Sequence, residues 1–135
     1  MPRPAASRPT DAELAILRVL WSRGPSTVRA VHDELARTRP PGYARPAGYT
    51  SVLKVMQIMT AKGLVARDEA RRTHVYRAAA PREQTQRQLL THLLERAFEG
   101  SASKLVMQAL SSKRTSREEL ARIRELLDNF ERGAK

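Results

Sequence analysis

The stretch Tyr49-Thr50-Ser51-Val52-Leu53-Lys54-Val55-Met56-Gln57-Ile58-Met59-Thr60-Ala61-Lys62-Gly63 constrains this chain more than any other. Val52, Val55, Met56 and Met59 recur at i, i+3, i+4 and i+7, which predicts a helix with one apolar stripe. Thr50, Lys54, Gln57 and Ala61 fall on a second stripe, with Ser51 beside it near the helix start. That second face is short, polar and cationic, and it carries no carboxylate. Thr, Ser, Lys and Gln can hydrogen-bond base edges or phosphates, whereas a carboxylate would repel a DNA backbone. Gly63 suits the position just past a helix end. An ordinary amphipathic helix with a merely solvated polar side has the same spacing, so the surrounding chain must decide between the two.

Charge favours the first reading. The net charge is +11 in 135 residues, a balance that seeks nucleic acid or another anionic surface. It is unevenly spread. Residues 1–81 hold 14 basic against 6 acidic side chains, a net of +8, and residues 82–135 hold 11 against 8, a net of +3. The more basic part contains the helix described above. The length suits one domain with an appendage, or two very small domains.

The elements around that helix follow in order. Thr10-Asp11-Ala12-Glu13 has the form of a capping box, and the two carboxylates suit the positive end of a helix dipole. Leu14, Leu17 and Trp21 then share a face, widened by Ile16, Val19 and Leu20, until Gly24-Pro25 ends the first helix. Ser26 or Thr27 caps a second helix, Val28 to about Thr38, with Val28, Val31, His32 and Leu35 on its buried side. Residues 39–47 contain three prolines, a glycine and Arg45, and read as a loop that carries basic groups toward a backbone. After the third helix, Leu64 to Arg67 and Thr73 to Ala78 read as short strands. Asp68 to Arg72 forms the turn between them and places Arg71 and Arg72 at the hairpin tip. Three helices and a hairpin make a winged helix-turn-helix over residues 10–80, in which the third helix enters the major groove and the tip reaches phosphates. Met1 to Pro9 reads as a disordered, proline-rich basic tail.

Residues 81–135 read as helical throughout. Leu89, Leu90, Leu93, Leu94 and Phe98 spread over a wide face, Gly100-Ser101 interrupts, and Leu105 and Leu110 mark a short helix. Ser116-Arg117-Glu118-Glu119 repeats the capping-box pattern before Leu120, Ile123, Leu127 and Phe130. About fifty residues do not close a stable core alone. These apolar groups therefore either pack against the first helix of the same chain or bury themselves in a homodimer, and the dimer is the more economical expectation.

Other chemistries lack their residues. There is no cysteine, which excludes disulfides, zinc fingers and thiol switches. His32, His74 and His92 are scattered without metal-ligand spacing, and no phosphate loop or nucleophile elbow occurs. No run is apolar enough to span a membrane, and the N-terminus has no apolar core of a secretory signal. The expectation is a cytosolic protein that is not an enzyme and takes neither cofactor nor metal.

Five motifs in order resemble the penicillinase-repressor family. They are Thr10-Asp-Ala-Glu-Leu-Ala-Ile-Leu-Arg-Val-Leu-Trp21, Thr27-Val-Arg-Ala-Val-His32, Gly48-Tyr-Thr-Ser-Val-Leu53, Lys62-Gly-Leu-Val65 and His74-Val-Tyr76. The resemblance implies a homodimeric winged-helix repressor of a palindromic operator, held together by C-terminal helices. It also implies control of beta-lactamase or related cell-envelope, protease or metal-homeostasis genes. Many members are released by proteolysis downstream of a membrane metalloprotease sensor. In those members the cut lies at an Asn-Phe bond. Here the similar stretch is Leu105-Val106-Met107-Gln108-Ala109, which lacks that bond, and the polar segment Ser111 to Thr115 is the better place for a cut. The cysteines of copper-responsive members are missing as well.

The resulting expectation gives each residue a role. Thr50, Ser51, Lys54 and Gln57 face base edges of a double-stranded DNA operator, and Tyr49, Arg45, Arg71, Arg72 and Arg77 hold its backbone. Two rivals remain, a protein-interaction module and a non-specific architectural DNA binder. Binding to random and palindromic duplexes across a salt series separates the three.

Overall fold

Thr10 starts the first helix as its sequence predicts. Its Oγ1 accepts the Glu13 N–H at 3.1 Å, and the Glu13 carboxylate accepts the Thr10 N–H at 2.9 Å. This closed capping box opens α1 (Asp11–Arg23), which stops at Gly24, where φ is +88°. The structure is a computed structural model and describes residues 8–70, 72–112 and 114–133. Arg71, Lys113 and the basic stretch before Arg8 lie outside the described residues. Thr27 caps α2 (Val28–Thr38) by accepting the Ala30 N–H at 3.1 Å. Gly48 precedes α3 (Tyr49–Lys62), which has no side-chain cap at its start. At its end the Gly63 N–H bonds Thr60 and the Leu64 N–H bonds Met59, a Schellman closure made possible by the positive φ of Gly63.

That closure corrects the expected strand. Leu64 belongs to the helix end, so β1 runs Val65–Asp68 and not from Leu64. The second strand, β2, is Val75–Ala78, and Thr73 and His74 belong to a turn longer than the sequence suggested. The strands are antiparallel, with Val65 opposite Ala78 and Asp68 opposite Val75. Ser26, in the linker between α1 and α2, adds an isolated bridge to Tyr76, each N–H bonding the other's carbonyl (2.9 and 2.8 Å). The hairpin is thereby tied to the helices, and the whole is a winged helix-turn-helix.

The core of this part is built from Ile16, Leu17 and Leu20 of α1, Val31 and Leu35 of α2, Val52, Met56 and Met59 of α3, and Val65 and Tyr76 of the hairpin. Burial of each such side chain contributes about 1.5–3 kcal/mol before chain entropy is counted. Leu14, Trp21 and Val55, expected among the anchors, are only half-buried. α1 is contacted by α2, α3 and β2, which cover its Ile16-Leu17-Leu20 side and leave Trp21 at the edge. The Trp21 Nε1–H is satisfied there by the Ala80 carbonyl at 3.0 Å.

The chain divides into two compact units, one up to Leu89 and one from Leu90. α4 (Arg82–Ala97) contributes its first half to the former and its second half to the latter. The second unit continues with α5 (Ala102–Ser112) and α6 (Arg117–Gly133). Glu99 and Gly100, both at positive φ, turn the chain between α4 and α5. The Ser116 Oγ caps α6 by accepting the Glu119 N–H at 3.0 Å. Ser111 and Ser112, expected in a linker, extend α5 instead, the Ser112 hydroxyl bonding back to the Gln108 carbonyl at 2.7 Å. No residue described from Leu90 onward is buried. Among the described residues no helix is long and apolar enough to cross a membrane.

Candidate nucleic-acid interface

The buried stripe of α3 fixes which face is left over. With Val52, Met56 and Met59 in the core, Thr50, Ser51, Lys54, Gln57 and Ala61 are all exposed. At 100° per residue these five span one sector of the helix, and Ile58 falls within it. Ile58 is a large apolar side chain left exposed among polar ones. The sequence reading assigned it to neither stripe. The signal was available in its spacing, four residues after Lys54. An apolar group on such a face has a chemical use, contact with the thymine methyl in the major groove. No carboxylate lies on α3.

Tyr49 does not join that sector. It lies toward α2, half exposed, with the Arg29 guanidinium 4.9 Å from its ring centroid and the His32 ring 6.4 Å away. His32 in turn donates from Nε2 to the Ala47 carbonyl at 3.0 Å, and its Nδ1 is 3.2 Å from an Asp33 carboxylate oxygen. His32 therefore ties α2 to the residues that lead into α3. Arg29 is the basic residue that sequence reasoning missed. It precedes His32 by one helical turn on the same side of α2, a spacing that could have placed it beside the start of α3. Uncapped N–H groups at that helix start and a neighbouring guanidinium suit a phosphate.

Arg45 is exposed in the loop before α3, and the loop itself is anchored. Tyr43 is buried beneath it, and Gly42, at φ +93°, passes so close to α1 that a Cβ there would meet the Ala12 backbone at 2.7 Å. Burial, and then the charge of Glu13, push the Tyr43 hydroxyl pKa up. Beside this loop Glu13 receives Lys62 Nζ on both carboxylate oxygens, at 2.8 and 2.9 Å, which joins the beginning of α1 to the end of α3.

In the wing, Arg72 and Arg77 are exposed, and the expected contact through Arg71 lies outside the described residues. Arg77 stands opposite Ala66 in the register, on the face away from buried Tyr76. The turn also contains carboxylates. Glu69 is neutralised by two bonds from Arg67, which hold its pKa below the usual carboxylate value, and Asp68 accepts the Ala70 N–H at 2.9 Å. Arg67 offsets Glu69, and the exposed Arg72 and Arg77 outnumber the remaining carboxylate of Asp68, so the described part of the wing keeps a net positive charge.

A family model described as Penicillinase repressor matches residues 9–129. The chain belongs to the penicillinase repressor family. Two curated relatives agree, each described as transcriptional regulator BlaI of Mycobacterium tuberculosis, one from strain CDC 1551 / Oshkosh and one from strain ATCC 25618 / H37Rv. Each is 32% identical over 124 residues, covering 91% of this chain and 85% of the relative. Membership of the penicillinase repressor family makes this chain a DNA-binding transcriptional repressor.

Proposed function

We propose that this chain acts in the cytoplasm as a homodimer that represses transcription by binding a palindromic operator, with one α3 in each of two successive major grooves. The observation that carries the reading is the exposed, carboxylate-free face of α3, fixed in place by a fully buried opposite stripe. Thr50, Ser51, Lys54 and Gln57 read base edges and Ile58 a thymine methyl. Arg29, Tyr49, Arg45, Arg72 and Arg77 hold phosphates, and Arg71 joins them at the wing tip. Leu89, Leu90, Leu93, Leu94, Phe98, Leu105, Leu110, Leu120, Ile123, Leu127 and Phe130 supply the dimer surface. Among them Leu90, Leu93, Leu110, Leu120, Leu127 and Phe130 are exposed in the single chain, which supports a second copy as their cover.

Release by proteolysis, under a membrane metalloprotease that senses a cell-envelope or antibiotic signal, rests on the family resemblance. Gln108-Ala109 takes the place of the Asn-Phe bond and lies inside α5, so any cut falls nearer the α5–α6 connection. The deciding experiment selects an operator from a random duplex pool and compares it with a scrambled duplex across a salt series. A repressor prefers the selected palindrome by roughly 10³-fold or more, whereas equal affinity for both leaves only architectural binding. Binding to neither leaves a protein-interaction module.

A further inference from the structure

The first unit has a groove that the recognition surface does not use. Its volume is about 730 Å³, and it runs between α1, the end of α2 with the following loop, and the first two turns of α4. Leu14, Val19, Trp21, Pro40 and Leu89 give it an apolar floor and sides. Arg18, Arg23, Arg39 and Arg82 stand around it. The one carboxylate in its lining, Glu34, is already held by Arg37 at 2.5 Å and lies 3.9 Å from Arg23. The side chains of Arg18 and Arg39 have no hydrogen-bond or ion-pair partner among the described residues. The Arg82 guanidinium lies 6.0 Å from the Trp21 ring centroid.

The backbone adds an independent observation. Arg39 ends α2 at φ +47°, a left-handed conformation that glycine adopts more cheaply. An arginine occupies it nonetheless, and it is one of the residues that line the groove.

We propose that this groove binds a small aromatic carboxylate. The volume lies in the range of small-molecule sites, which combine apolar walls with a few convergent polar groups. The ring packs against Trp21 and the prolines, and the carboxylate takes charge-assisted bonds from Arg18 and Arg39, whose planar forks match its geometry. A DNA backbone is a poorer occupant, because an apolar floor offers a phosphate nothing. Arg82, Gln86 and Leu89 line the groove from α4, so occupancy fixes the first turns of that helix on α1.

The test titrates the full chain with 1-naphthoate by calorimetry and follows the indole N–H resonance of Trp21, the only tryptophan in the sequence. Saturable binding of one molecule per chain that shifts this resonance is expected. The double variant Arg18→Gln/Arg39→Gln is expected to bind about tenfold more weakly or worse, since each lost charge-assisted bond is of that order. Its circular dichroism melt is the control for folding. The neutral isostere 1-naphthalenemethanol and inorganic phosphate are each expected to bind at least about tenfold more weakly than naphthoate. Equal binding of naphthoate to the variant, or of the isostere to the native chain, overturns the proposal. So does phosphate binding as tight as naphthoate, or the absence of saturation. Affinity that falls as protein concentration rises assigns the groove to a second copy and also overturns it. No DNA enters this experiment, so its failure leaves the operator-binding reading untouched.

Discussion

Glu13 does two jobs with one carboxylate. It closes the capping box of α1 and accepts both bonds from Lys62, while its own residue is only 4% exposed. A carboxylate this deep needs its cation, and Lys62→Met removes it without removing the apolar stem. Lys62 is itself partly exposed, so the expected cost is toward the low end for a broken buried pair, about 1–3 kcal/mol, read as a lower urea midpoint with unchanged slope. An unchanged midpoint would show that water replaces the ammonium. Lys54→Ala is the contrasting case. Its side chain is exposed, so stability should not change, while affinity for the selected operator falls by about 1–3 kcal/mol and affinity for random duplex does not. An equal loss on both duplexes would assign Lys54 to a phosphate. Sequence shows these two lysines unequally well. Lys54 is legible because helical spacing alone places it opposite the buried stripe. The Lys62 bond is not, because its partner lies 49 residues away and no local pattern joins them. Tyr43 was missed for the same reason, since only the approach of Gly42 to α1 carries its loop inward.

Elements were legible in proportion to how many local signals agreed on them. For α1 the cap, the apolar period and the terminal glycine all coincide, and helix and expectation coincide too. For the hairpin only β-branched and aromatic alternation was available. Its start was misjudged because Leu64 is spent on the α3 Schellman closure. The exposed face of α3 followed from the buried stripe, so its polar members were placed there by spacing and Ile58, apolar but exposed, was not. Arg29 was hidden because its place beside Tyr49 comes from the crossing of two helices, not from its own helix. The role proposed for the wing is electrostatic and is tested as such. Replacing Arg72 and Arg77 together by Ala should weaken binding to every duplex and reduce the slope of log affinity against log salt by roughly one per lost phosphate contact. Their exposure means that the hairpin should remain folded, since Tyr76 and Val65 carry its packing. A slope identical to that of the native chain would take both arginines out of the interface.

At the scale of the whole molecule, each unit has its own apolar balance. The first encloses Ile16, Val31, Val52, Met56 and Met59 completely, whereas the described residues from Leu90 onward enclose none. On α6, Leu120, Ile123, Leu127 and Phe130 follow helical spacing, and Leu127 and Phe130 are 58% and 72% exposed. Side chains of this size left in water need a cover, and a second copy brings the same stripe in twofold-symmetric form. The last prediction therefore substitutes Leu127→Gln and Phe130→Gln together. Glutamine keeps helix propensity and leaves the net charge unchanged, so neither the helix nor the electrostatic attraction to DNA is altered. Symmetry counts each lost side chain twice, which removes roughly 6–12 kcal/mol of apolar burial from the dimer. Sedimentation at micromolar concentration should show the native chain as a dimer and the variant as a monomer with the head still folded. Half-site affinity should be unchanged. Affinity for the full palindrome should fall about 10²–10⁴-fold, because the second head then arrives from bulk solution and not from its tether. A native chain that sediments as a monomer removes the dimer outright. A variant that stays dimeric moves the interface away from this stripe. A monomer that still holds the palindrome at native affinity would mean that two heads bind without the tail's help.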